Sequence, residues 1–163
     1  MKQQMISLII LYVAVLWTIP VLAQVEEQSS KMPSYLPAPQ SRQAGVSTFK
    51  PNQFITQWLI CGPFPNPDNA GRNIDYLTNA GGETLIRPKV GMVHPSAAVP
   101  GGMVKWQEVS AYAHGFLDFM RLPLPHERVV AYTFCYLKVP QAMDVILKIG
   151  SDDGVKVWLN GNL

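Results

Sequence analysis

The side chains able to do chemistry in this sequence are few and scattered. His94, His114 and His126 show neither the HExxH nor the HxH spacing that brings two imidazoles onto one zinc ion, and they read as isolated surface histidines. Ser151 follows Gly150, but the residue two beyond it is Asp153, so there is no GxSxG nucleophile elbow. A glycosidase needs two carboxylates about 5–10 Å apart across a cleft. Glu108 or Asp118 could stand beside Asp152, yet only 11 residues are acidic and no second domain is legible to build the cleft. Glycine-rich phosphate loops are absent as well. Cys61 and Cys135 lie in no CxxC pair and beside no histidine, which leaves two alternatives: one disulfide, if the chain is exported, or two buried thiols acting as small hydrophobes. Asp152-Asp153-Gly154 reads first as a turn whose carboxylates bond nearby backbone N–H groups. The residues therefore predict a chain without catalysis of its own.

The elements that must position these residues are strands. Val104 to Val109, Phe116 to Leu122, Val129 to Val139, Asp144 to Ile149 and Val155 to Leu159 are short runs rich in Val, Ile, Tyr, Phe and Trp, separated by turn residues. In Val129 to Val139, Tyr132, Phe134 and Tyr136 alternate with Ala131, Thr133, Cys135 and Leu137, as suits a strand covered on both faces. Ile55 to Cys61 has the same two-sided character, and the prolines of Gly62-Pro63-Phe64-Pro65-Asn66-Pro67 are expected to end it. Long irregular loops are expected between Pro33 and Pro100, with one helical turn around Asn73 to Asn79. Pairing Asp144 to Ile149 against Val155 to Leu159 would leave Ser151, Asp152 and Asp153 at the loop, flanked by Gly150 and by Gly154, which can adopt positive φ in a bulge, and would set Lys148 opposite Lys156; the alternative is that the two strands lie in different sheets. Asn160-Gly161 is a strong hairpin signal whose return strand is missing, so the last strands of the fold are expected to be absent and the chain truncated, the alternative being a free edge that waits for another chain. The predicted class is all-β, an antiparallel sandwich over 54–163.

Composition sets the compartment. Of 163 residues, 48% are hydrophobic and 15% charged, with 14 Pro and 12 Gly. Lys2, the apolar run Met5 to Trp17, the helix breaker Pro20 and Val21-Leu22-Ala23 together read as a secretory signal over 1–23, cleaved after Ala23. An uncleaved anchor is the alternative, since Met5 to Ala23 is long enough to span a bilayer. Residues 24–53 read as a polar, Pro-rich disordered linker. The formal charge of +2 carries no Lys/Arg cluster, which excludes a nucleic-acid footprint.

Ile146-Leu147-Lys148-Ile149-Gly150-Ser151-Asp152-Asp153-Gly154-Val155-Lys156-Val157-Trp158-Leu159-Asn160-Gly161 resembles the strand-loop-strand segment of protective-antigen-type β-sandwich domains, and of related jelly-roll, carbohydrate-binding-like domains of secreted bacterial proteins. Trp58-Leu59-Ile60-Cys61-Gly62-Pro63-Phe64-Pro65 looks like the opening strand of such domains. In sugar-binding members two successive aspartates hold a calcium ion that in turn holds sugar hydroxyls. The resemblance thus implies Asp152 and Asp153 as calcium ligands, with Asn160 a weaker one, and glycan as the partner. Calcium suits them, being a hard cation that takes 6–8 oxygens. Aromatic rings are the other route to sugar, since a pyranose face stacks on an indole or phenol. Trp106, Tyr112 and Trp158 are the candidates, Trp158 being either solvent-facing or packed against a second layer.

The leading expectation is a secreted, non-catalytic carbohydrate-binding or interaction module. The alternatives are an N-terminal fragment of a larger exported enzyme, such as a glycoside hydrolase, and a structural spacer of a cell-surface protein. Further domains of the same gene product would then be partners.

Overall fold

A computed structural model describes residues 4–14, 45–48, 52–121, 127–139, 141, 143–144 and 146–163. Most of the linker, the cleavage site at Val21-Leu22-Ala23, and His126 lie outside them. Eight strands are described: β1 (Gln4–Ala14), β2 (Val46–Thr48), β3 (Gln57–Pro65), β4 (Val93–Pro95), β5 (Met103–Lys105), β6 (Gln107–Ser110), β7 (Val129–Val139) and β8 (Gly154–Leu159). The only α-helix among the described residues is α1 (Gly82–Leu85). The chain is mainly β, with mostly antiparallel pairing. A six-stranded sheet has the order β6-β3-β7-β1-β8, β2 joins β7 in parallel beside β3, and β4-β5 forms a separate two-stranded sheet.

β7 organises this sheet because its alternation is apolar on both sides. Tyr132 and Phe134 enter a cluster with Leu59, Cys61, Phe64, Trp106 and Trp158, while Cys135, Leu137 and Val139 enter a second with Trp58. Successive side chains of a strand point to opposite faces, so the two clusters are the two faces of one sheet. The first is roofed by the long excursion through Tyr76, Leu77, Ile86 and Val104; the second is flanked by Leu117 and Leu147. Trp158 resolves in favour of packing, at 3% exposure.

β3 runs on to Pro65 instead of stopping at Pro63. Cys61 pairs with Tyr132 and Phe64 with Val130, so Gly62 and Pro63 together face the single Ala131 in a bulge. A proline there removes no ladder bond. Gly62 has φ 140°, and a Cβ on it would stand 3.1 Å from the Val130 carbonyl oxygen, so this close approach requires glycine.

Several expected elements differ. Val104 to Val109 divides into β5 and β6, with Trp106 between them, fully buried and hydrogen-bonded through its backbone to Met92 and Gly91. Phe116 to Leu122 yields no strand among its described residues, only a 3-10 turn at Phe119–Arg121. The helical turn expected near Asn73 to Asn79 is present as 3-10 turns at Gly71–Asn73 and Thr78–Ala80, followed by α1.

The largest difference concerns β8. No strand occurs among the described residues of 144–149, Ile146 is 89% exposed, and Gly154 begins β8 without positive φ. β8 pairs instead with β1, from Leu8 opposite Leu159 to Val13 opposite Gly154. β1 pairs along its whole length with β7 on its other side. The sheet thus draws in strands before Phe54, where order was expected to begin. The physical reason lies in charge and composition: β1 is uncharged and rich in aliphatic residues, whereas pairing with Asp144 to Ile149 would have set Lys148 against Lys156. Lys156 instead reaches Glu83 on α1.

At the end of β8 the sequence signal is borne out. Leu159 and Asn162 exchange both backbone hydrogen bonds around Asn160 (φ 55°) and Gly161 (φ 85°). Positive φ at both central residues is the type I′ hairpin turn.

Candidate functional site

The residues expected to bind calcium do not converge. Asp152 is exposed and Asp153 half-buried in the loop before β8, whereas Asn160 occupies the turn after it. Six strand residues at about 3.3 Å each put roughly 20 Å between the two ends, and calcium–oxygen contacts are about 2.3–2.6 Å. Asn160 therefore cannot share an ion with the aspartates. No group of three or more His, Cys, Asp or Glu side chains among the described residues could hold a metal ion. The peptide between Asp152 and Asp153 is trans. Asp152 and Asp153 stand side by side in the bend before β8, apart from Asn160.

The cysteines are both free and buried. Cys61 belongs to the first cluster and Cys135 to the second, on opposite faces of the sheet, which removes the disulfide alternative. Cys61 Sγ lies 3.7 Å from Nε2 of the buried His94, the residue paired with Val104 in the β4-β5 hairpin. Burial pushes the Cys61 thiol up to about 12 and the Cys135 thiol up as well, and it pushes His94 down. A reactive cysteine needs the opposite shift toward thiolate.

A second polar group joins the excursion to the sheet. The Tyr132 hydroxyl donates to Glu83 Oε1 at 2.7 Å, and Lys156 Nζ stands 3.9 Å from the other Glu83 oxygen. Asp75 accepts from the backbone N–H groups of Leu77 and Glu83 at 2.9 and 3.2 Å, and the Tyr76 hydroxyl donates to the Pro65 carbonyl. Burial raises the Glu83 carboxyl above its ordinary range; Tyr132 and Lys156 oppose that rise, and Asp75 adds to it. Lys156 also lies 5.2 Å over the Trp158 ring. These contacts tie α1 to β7 and β8, and Gly161 completes the tie, because a Cβ there would meet the Thr84 carbonyl oxygen at 2.5 Å.

Of the three aromatic candidates, Trp106 and Trp158 are core residues and Tyr112 is not. Tyr112 follows β6 in a tight loop closed by Tyr112 N–H to the Phe116 carbonyl (2.9 Å) and Gly115 N–H to the Tyr112 carbonyl (2.8 Å). That closure sets Tyr112, His114 and Phe116 side by side. Their ring centroids are 5.6, 6.1 and 6.3 Å apart pairwise, with planes within 20° of parallel. Three near-parallel rings at mutual distances this similar are set as a triangle rather than a single column, a small aromatic platform in the loop.

Phe116 is 56% exposed and His114 is exposed, while Phe54, itself exposed, packs where a Cβ on Gly115 would go. The Arg121 guanidinium lies 5.2 Å from the Tyr112 centroid and is held by Asp118 at 3.3 Å. Gln57 and Ser110 bond each other at the sheet end from which the loop leaves. His114, Phe116 and Arg121 were not singled out as binding residues from the sequence. The available signal was the two-residue spacing of Tyr112, His114 and Phe116.

No protein-family model, no curated protein and no solved structure matches this chain. No helix among the described residues is long and apolar enough to cross a membrane.

Proposed function

We propose that this chain is a non-catalytic carbohydrate-binding module of an exported protein, built on a jelly-roll-like sandwich of the protective-antigen type, and that the Tyr112-His114-Phe116 platform is its sugar-binding surface. The exposed platform carries the reading. Phe116 in it and Phe54 beside it are large apolar rings left exposed, and exposed apolar surface of this kind marks interaction sites. Its near-parallel rings carry π-faces of the kind that stack against the C–H face of a pyranose, and Arg121, Asp118, Gln57 and Ser110 supply hydrogen-bonding groups on the same loop and sheet end. Such a site takes neutral sugars without a metal.

The test is retention on an array of neutral oligosaccharides and polysaccharides. The wild-type chain is expected to bind at least one of them, and Tyr112→Ala to weaken that binding about tenfold, the scale of a lost stacking contact of up to about 1.5 kcal/mol. Asp152→Ala and a calcium chelator are expected to change nothing. An array without retention, or retention indifferent to Tyr112→Ala, rejects the assignment.

A further inference from the structure

The place of β1 supports a second interaction that is independent of the platform. Gln4–Ala14 carries no charge and no proline, and it forms an interior strand, paired over eleven positions with β7 and over six with β8. It is antiparallel to both, so β7 and β8 run parallel to each other across it. The other edge of β7 is already taken by β3 and β2. The flanking positions are mostly apolar, with Tyr132, Phe134, Cys135 and Leu137 on β7 and Val157 and Trp158 on β8, while Thr133 and Lys138 of β7 and Lys156 of β8 also stand opposite it. Yet the same residues form the apolar run of a segment with the marks of a cleavable signal, and residues 15–44 separate them from β2, enough chain for β1 to leave without disturbing β2.

We propose that the space between β7 and β8 is a strand-acceptor slot, which takes an extended, uncharged, aliphatic segment of another polypeptide once Gln4–Ala14 has left it. Vacating the slot exposes two rows of backbone N–H and C=O groups above and below apolar side chains. An exposed edge is a template for another strand. Here one inserted strand would satisfy both edges together, antiparallel to each, in the manner of β-strand addition. The occupant must be about eleven residues long to match β7, free of proline because the strand is hydrogen-bonded on both sides, and uncharged because its flanking side chains belong mostly to the two apolar clusters.

The experiment uses the full chain with a protease site placed within residues 24–44, cut after folding. The cut protein is unfolded in urea and refolded with a fluorescent peptide of the Gln4–Ala14 sequence in excess. Uptake of one labelled peptide per chain is expected, with slow hydrogen exchange retained in Val129–Val139 and Gly154–Leu159. A peptide carrying Ile9→Pro is expected to be taken up at least about tenfold less, because proline within a paired interior strand removes a ladder donor. Lack of uptake on refolding, or equal uptake of the Ile9→Pro peptide, overturns the proposal. So does a dimer of the uncut chain that exchanges its own N-terminal segments, since the occupant would then be a second copy.

Discussion

Two stretches of this chain place aromatic rings at every second residue, and they do opposite things. In β7, Tyr132, Phe134 and Tyr136 lie on one face of a central strand, with Phe134 edge-on to Trp106 at 6.3 Å and to Tyr136 at 4.8 Å. In the loop after β6, Tyr112, His114 and Phe116 lie near-parallel, with Tyr112 half-buried and His114 and Phe116 exposed. Alternation decides which side chains share a face; it does not decide whether anything covers that face. β7 is flanked on both edges and roofed by the 66–106 excursion, whereas the loop follows β6, an edge strand. The same spacing therefore builds a core in one place and a platform in the other.

Substitution separates the two. Phe134→Ala removes a ring that is 2% exposed and should cost about 3–5 kcal/mol, read as a lower midpoint in urea unfolding. Gly161→Ala comes next. It asks alanine to take φ 85° with its Cβ 2.5 Å from the Thr84 carbonyl, a loss of more than about 1 kcal/mol in the same assay. Phe116→Ala should shift stability by no more than about 0.5 kcal/mol, since the ring is more than half exposed. If Phe116→Ala unfolds the protein as Phe134→Ala does, the two regions are not different in kind.

A pH effect sharpens the same contrast at the smallest scale. The folded state raises the Glu83 carboxyl, chiefly by burial, so the folded chain holds that proton more tightly than the unfolded one. Stability should accordingly fall as pH rises from the ordinary glutamate range through the raised value, and Glu83→Gln should flatten that slope. Thermal midpoints across mildly acidic pH check it. A wild-type slope of the opposite sign would mean that Lys156 and Tyr132 outweigh burial.

How much of this was legible in the sequence follows from the range of the forces involved. The two-faced character of β7, the buried run of β3 and the type I′ turn at Asn160-Gly161 are local, because alternation and positive φ are written in adjacent residues. The partner of β8 is not local. Choosing β1 over Asp144 to Ile149 depends on which distant segment presents the better uncharged edge, and no short-range pattern states it. The cysteines failed as a pair for the same kind of reason: their common burial was readable, but the opposite parity of Cys61 and Cys135 appears only once β3 and β7 are in register. For the site, Tyr112 was visible as an aromatic, but its partnership with His114 and Phe116 needed the loop closure between Tyr112 and Phe116.

The most direct measurement is residue-resolved: amide and aromatic NMR shifts of the folded chain during titration with an oligosaccharide retained by the array. Binding at the platform predicts saturable shifts in Tyr112, His114, Phe116 and Arg121, with Trp106, Phe134 and Trp158 unmoved. Shifts centred on the Asp152-Asp153 loop, or spread through the buried rings, would contradict it.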